Sequence, residues 1–299
     1  MFYNRMTKKK VWPPADWPEF GKYQERLDID AFGDGISTHQ LDLYYADETI
    51  RNHKLLIDIH GGGYIANTRK MNYGFASVFL DKGYDVALLD YPLNDGVQDI
   101  IDEVRVVAAQ FSYLHSHAED LGLNPDEFYL TGDSAGGHLA LLLAEMTEDA
   151  ALAAQICGGD PNLKTQFPDF NLNEISLKGV LLNCPIYDLA KGIEESPLNA
   201  KGKTALFGPS WKDEAYVALI SPRTHIANLK TPVFLSSCRN DFLKEHSELL
   251  VKDLKAAGKS PTFIYLDEKN QTVTHVHNVN DISLKESQIV NNEMDRFMR

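Results

Sequence analysis

Cysteine is scarce in this chain: its 299 residues include only Cys157, Cys184 and Cys238. An odd number at wide spacing, with no CxxC pair and no Cys/His cluster, argues against a disulfide framework and against a zinc site. Reduced thiols in or near the core of a cytoplasmic protein are the expectation. Long apolar runs are missing too. Stretches such as Val180 to Leu182 are interrupted at once, far short of the roughly 18 consecutive apolar residues that span a bilayer, so no membrane partner is expected. Lys8, Lys9 and Lys10 lead into VWPPADWPEF, which lacks the apolar run of a signal peptide, and secretion is not indicated. Positive charge is in deficit as well. Against 43 Asp and Glu stand 29 Lys and Arg, a formal net charge of -14, which repels phosphate backbones and anionic lipid and leaves no role for nucleic acid. No internal repeat, low-complexity tract or linker interrupts the chain.

What is present is the composition of an ordinary globular protein, 43% apolar and 24% charged. The length suits one large core, so a single domain over residues 1–299 is expected. Short all-apolar runs at Leu55 to Ile59, Val86 to Leu89, Phe128 to Thr131, Gly179 to Leu182, Pro232 to Ser236 and Thr262 to Leu266 suit parallel strands buried on both faces. Between them the spacing turns helical, as in Ile100, Val104, Val107, Phe111 and Leu114, or Leu139, Leu142, Leu143 and Met146. Strand alternating with helix predicts an α/β fold, a mostly parallel twisted sheet with helices on both faces. In the N-terminal segment, residues 1–50, Glu25 to Ile29 and His39 to Tyr45 alternate polar and apolar around Gly33-Asp34-Gly35 and read as an antiparallel hairpin at the sheet edge. Two stretches fit no buried element. Thr147 to Ser176 reads as a surface excursion, and 187–225, with its aromatic and Pro residues, as a small lid.

The strongest local signal is Gly132-Asp133-Ser134-Ala135-Gly136 between an apolar strand and the start of a helix. A serine on such a turn projects its hydroxyl above the sheet, and small residues two before and two after it avoid a collision. Directly after the strand ending at Ile59 comes His60-Gly61-Gly62-Gly63. Acyl transfer needs backbone N–H donors for an oxyanion, and Gly62, Gly63 and Ala135 are the candidates. The loop lacks the endings of a P-loop and the spacing of a dinucleotide site. A nucleophilic serine needs a base and an orienting carboxylate, which follow it in this order in such folds. Asp241 lies just past the strand Pro232 to Ser236, where it is the candidate orienter. Two histidines past the last strand, His275 and His277, compete for the role of base, and only one can reach the serine. His60 is read as support for the glycine loop and His138 as a packing residue.

Through HGGG at His60 to Gly63 and GDSAGG at Gly132 to Gly137, the chain resembles the hormone-sensitive-lipase-like branch of α/β-hydrolase esterases from about Leu55 onward. Within that branch it is similar to small bacterial carboxylesterases and their feruloyl-esterase-like relatives, in Ser221-Pro222 and in a histidine segment of HVFN type that reads HVHN here. The resemblance implies Ser134 as nucleophile, Asp241 as third member, His275 as base and Gly62, Gly63 and Ala135 as oxyanion donors. It implies a small-molecule ester as substrate and no metal or organic cofactor. Where the branch carries a YRLAPE-like segment, this chain has Tyr91-Pro-Leu-Asn-Asp-Gly, and the stretch before the edge strands is short for a two-helix cap. Short acyl groups are therefore expected. Tyr64, Tyr187, Phe207 and Trp211 are candidate pocket walls, with packing as the equal alternative. A peptidase or amidase with the same triad, and a non-catalytic binding protein on a hydrolase fold, are the rival readings.

Overall fold

Every second side chain of the strand Leu55–Ile59 enters a different core: Leu55, Ile57 and Ile59 join one buried cluster and Leu56 the other. That is how an unbroken apolar run is used in a sheet covered on both faces. The computed structural model describes residues 17–158, 170–267, 269 and 271–299. Its sheet has eight strands: β1 (Gln24–Asp30), β2 (Gln40–Tyr45), β3 (Leu55–Ile59), β4 (Asp85–Leu89), β5 (Phe128–Asp133), β6 (Leu177–Asn183), β7 (Val233–Cys238) and β8 (Thr262–Leu266). They lie in the order β1-β2-β4-β3-β5-β6-β7-β8. β1 pairs antiparallel with β2 and β2 with β4, and every other pairing is parallel. The fold is an α/β-hydrolase sheet with the expected hairpin at its edge.

Five helices flank the sheet. α1 (Tyr73–Leu80) and α11 (Lys285–Met298) bury Phe75, Phe79, Val290 and Met294 on one face. On the other lie α2 (Ile100–Ser116), α3 (Ala135–Glu148) and α9 (Lys244–Ala256), with Val104, Val107, Phe111, Leu139, Leu142 and Leu250. The N-terminus of α2 carries a capping box between Asp99 and Asp102, which fixes where that helix starts. After β3 the chain moves outward to β4, and after β5 it moves outward to β6 on the other side. The carboxyl ends of β3 and β5 therefore flank the point where strand order reverses, where open α/β sheets bind their ligands.

The stretch Thr147 to Ser176 is less external than its composition suggests. Asp149 accepts hydrogen bonds from the N–H groups of Ala151 and Leu152 and starts α4 (Ala150–Cys157). Leu152 and Ile156, four apart on one face, are buried against the core, as are Leu172 and Ile175 further on. This corrects the surface reading at those positions; residues 159–169 lie outside the described residues. The stretch 187–225 lies between β6 and β7 as α5 (Leu189–Glu195), α6 (Ala200–Phe207), α7 (Glu214–Leu219) and α8 (Pro222–His225). Among its ties to the rest of the fold are three hydrogen bonds. Ile220 O accepts from the His138 ring at 2.7 Å, Tyr216 Oη accepts from Ile101 N at 3.2 Å, and Ser210 Oγ donates to Asp99 Oδ2 at 2.6 Å. Among the described residues no helix is long and apolar enough to cross a membrane.

Candidate active site

Ser134 sits between β5 and α3 with φ 53° and ψ -114°, outside the regions where a side-chain-bearing residue rests easily. Its N–H is anchored on Asn183 O at 2.9 Å. The two glycines around it are required by space. A Cβ on Gly132 would lie 2.4 Å from Gly136 O, and one on Gly136 would lie 1.9 Å from Ile59 O. The elbow thus presses directly on the end of β3, where the glycine loop begins.

The loop and the elbow share more than contact. Gly61 N donates to Asp133 Oδ1 at 2.9 Å, and the Asn72 amide donates to the same oxygen at 3.0 Å and to Asp58 Oδ2 at 2.8 Å. Burial pushes the Asp58 carboxyl well above the usual carboxylate range, and the Asp133 charge beside it adds to that. With Gly61 committed, the N–H groups of Gly62, Gly63 and Ala135 have no acceptor among the described residues. Below the loop, His60 is wholly buried. One of its ring nitrogens faces Gly61 O at 2.7 Å and the other Asp90 Oδ1 at 3.1 Å, while its ring stacks on Tyr91.

Asp241 follows β7 and is buried. Its Oδ1 pairs with His275 Nδ1 at 2.7 Å and accepts Leu243 N at 2.9 Å, and its Oδ2 accepts Ser237 Oγ at 2.8 Å. Burial raises its pKa, but the hydrogen bond and charge of His275, with the Leu243 and Ser237 donors, outweigh that and hold it below the ordinary value. The carboxylate stays ionised. The loop carrying His275 is stitched to the one carrying Asp241 by Asn240, whose amide donates to Val273 O at 2.9 Å. The exposed ring of Phe242 lies 4.2 Å from the His275 ring.

The two competing histidines go to different places. Val276 between them is left-handed, with φ 49°, so the segment turns instead of running extended. His277 opens α10 (His277–Asn280), is buried, and faces Ser287 Oγ at 2.9 Å. Of the pair, only His275 meets the carboxylate.

The aromatic residues divide as well. Tyr64 and Tyr187 are wholly buried, and Phe207 nearly so, which is a packing position. Tyr64 Oη meets His138 Nδ1 at 3.1 Å, and Tyr187 Oη donates to Asp253 at 3.1 Å. Trp211 is half-buried and lines a cavity of about 730 Å³ with Lys203, Val217 and Arg223; neither Ser134 nor His275 is among its walls. His138 must donate through Nε2 to the carbonyl of Ile220 and accept from Tyr64, so it holds elbow helix, glycine loop and helical insertion together. Burial pushes its pKa down to about 4. The unfolded ring, near 6.5, takes its proton first as the pH falls. His138 therefore costs the fold stability from about pH 6.5 down to about pH 4, on the order of 3 kcal/mol in all. Urea titrations should show His138→Gln losing about 2 kcal/mol less than wild type between pH 7 and pH 5. An equal loss in both would remove His138 from the acid sensitivity.

Some participants were not legible in the sequence. Asn183 holds Ser134 N through its carbonyl and accepts from Ser236 Oγ and the Asn278 amide. Cys184, at the end of β6, accepts Val276 N at its Sγ. Only the alignment of β5, β6 and β7 makes either visible.

The BD-FAE family model matches residues 41–254, well over half of the chain. The chain belongs to the BD-FAE family. Among curated relatives, it is 25% identical over 214 residues to the Mycobacterium tuberculosis protein named "Probable carboxylic ester hydrolase LipM", covering 69% of this chain and 46% of the relative. It is 26% identical to esterase LipQ of the same organism, over 48% of this chain and 35% of the relative. The chain thus spans less than half the length of these relatives. Esterase B from Lactobacillus rhamnosis, in a structure inhibited by a tributyrin phosphonate, is similar over 95% of this chain and 87% of that one, at 26% identity and TM-score 0.80.

Proposed function

We propose that the chain is a serine carboxylic ester hydrolase in which Ser134 attacks the ester carbonyl, His275 takes its proton and Asp241 orients the imidazole. The observation that carries the reading is the 2.7 Å bond between His275 Nδ1 and a buried, ionised Asp241 beyond β7, at the strand ends where Ser134 stands on its strained elbow. A bond at Nδ1 puts that proton on the carboxylate side and leaves Nε2 as the acceptor for the serine hydroxyl. The tetrahedral oxyanion is taken by the N–H groups of Gly62, Gly63 and Ala135, backed by the N-terminus of α3. Collapse expels the alcohol, protonated by His275, and leaves an acyl-enzyme. Water, activated by the same ring, then releases the acid.

Relatives named as ester hydrolases and a phosphonate-inhibited structural neighbour support this chemistry. A fluorophosphonate probe should add its mass to the peptide carrying Ser134 and to no other serine; labelling elsewhere would move the nucleophile. We read 1–299 as one catalytic domain, with 187–225 as its lid. A Cβ on Gly63 would lie 3.5 Å from Leu206 Cδ1, so α6 stands close over the glycine loop and leaves little room for a long chain. The exposed apolar side chains Ile65 and Phe242, beside the glycine loop and His275, provide a short rim. At roughly 0.8 kcal/mol per buried methylene, turnover should be greatest for acyl groups of about two to six carbons. Faster hydrolysis of p-nitrophenyl decanoate than of the butyrate would defeat the small-site reading.

A further inference from the structure

Cys184 ends up beside the proposed catalytic pair although 57 and 91 positions separate it from Asp241 and His275. Its Sγ, a carboxylate oxygen of Asp241 and a ring nitrogen of His275 all lie within 4.8 Å of one another. The strand order explains the meeting: β6 and β7 are neighbours, so the residue after β6 stands beside the turn after β7. The Val276 N–H, one residue past His275, points at the same sulfur from 3.4 Å. A thiolate, an imidazole nitrogen and a carboxylate oxygen are the three donor types that zinc accepts, and three protein ligands with one open position make a complete tetrahedral site. Cys184 and Asp241 are buried, while the His275 side chain is 14% exposed and opens the cluster to solvent. This is the Cys/His grouping that the wide spacing of the cysteines conceals.

We propose that Cys184, Asp241 and His275 form a binding site for a thiophilic divalent cation, zinc or cadmium, whose occupation switches the enzyme off; the inference rests on the triad reading. Capture breaks the bond between His275 Nδ1 and Asp241. The thiol releases one proton to solvent and its sulfur binds the cation. The imidazole binds through Nδ1 in its neutral form, so its own proton moves to Nε2. That is the atom that must accept the proton of Ser134, and a ring protonated there is no base. Burial holds the Cys184 thiol neutral in the free enzyme, so the cation has to displace its proton, and the metal-free cluster, charged only at Asp241, is the resting form. Oxygen-seeking magnesium and calcium have no use for the sulfur and should leave the enzyme active.

The test uses the full chain and two readouts. Titration with Zn2+ should lower p-nitrophenyl butyrate turnover about tenfold or more, EDTA should restore it, and Mg2+ at equal concentration should not inhibit. Cys184→Ser keeps an oxygen to accept Val276 N–H but loses the thiolate, and it should need about tenfold or more Zn2+ for the same fractional loss of its own activity. Independently, Co2+ should give the near-ultraviolet thiolate-to-cobalt band in wild type and in Cys157→Ser, but not in Cys184→Ser. Zinc acting equally on wild type and Cys184→Ser, or no band in wild type, overturns the site. The cobalt band needs no esterase activity, so if Ser134 or His275 were misassigned the band would persist while the catalytic tests failed.

Discussion

Ser134→Ala should hydrolyse p-nitrophenyl butyrate at least about a thousandfold more slowly than wild type, with an unchanged circular dichroism spectrum. On the proposed mechanism the substitution removes the attacking oxygen, and it takes away nothing that holds the fold. The anchors of Ser134 are backbone groups, its N–H on Asn183 O and its carbonyl accepting from His138 N and Ile186 N, and alanine keeps all of them. The strained φ of 53° is carried by either residue. What remains is binding and the N–H groups of the glycine loop, which accelerate the reaction only modestly without a nucleophile. Activity within tenfold of wild type would overturn the assignment.

The second large effect separates the histidines. His275→Ala should lose about a thousandfold or more in single-turnover acylation, because on the proposed mechanism the serine then has no proton acceptor and Asp241 nothing to orient. His277→Ala should acylate at nearly the wild-type rate but unfold more readily, by about 1–3 kcal/mol. It abandons the bond to Ser287 Oγ inside the core. A larger acylation loss at His277 than at His275 would reverse the roles. The two variants thus fail in different measurements, one in rate and the other in denaturant midpoint.

How much of this the sequence could yield depended on whether the signal was local. β3 and β8 run where their apolar residues predict, because β3 is bounded by Lys54 and His60 and β8 by Pro261 and Asp267. β6 starts earlier than its apolar run, at Leu177, since exposed Lys178 breaks the run and is skipped in the register with β5, where Phe128 pairs with Leu177 and Tyr129 with Gly179. β7 starts at Val233 and not Pro232, which has no N–H to give. The elbow and the glycine loop are contiguous motifs and were readable, and so was Asp241 just past its strand. The choice between His275 and His277 was not, as it turns on a left-handed conformation at Val276, a branched residue that rarely adopts it. Asn183, Cys184 and the shared amide of Asn72 were invisible for a different reason. Their roles arise from which strands lie side by side, and no window along the chain contains that information.

The bond from Gly61 N to Asp133, and the near-contact of Gly136 with the end of β3, have a consequence for how this protein can change. The glycine loop and the serine turn are heritable only as a pair, since lengthening either alone would displace the other. New substrate preferences must therefore be acquired elsewhere, and the helices of 187–225 touch the pair at few points and tolerate such exchange. A library that randomises the surfaces of α6 and α7 while leaving residues 58–63 and 132–138 untouched should yield far more active variants than one of equal size directed at the motifs themselves.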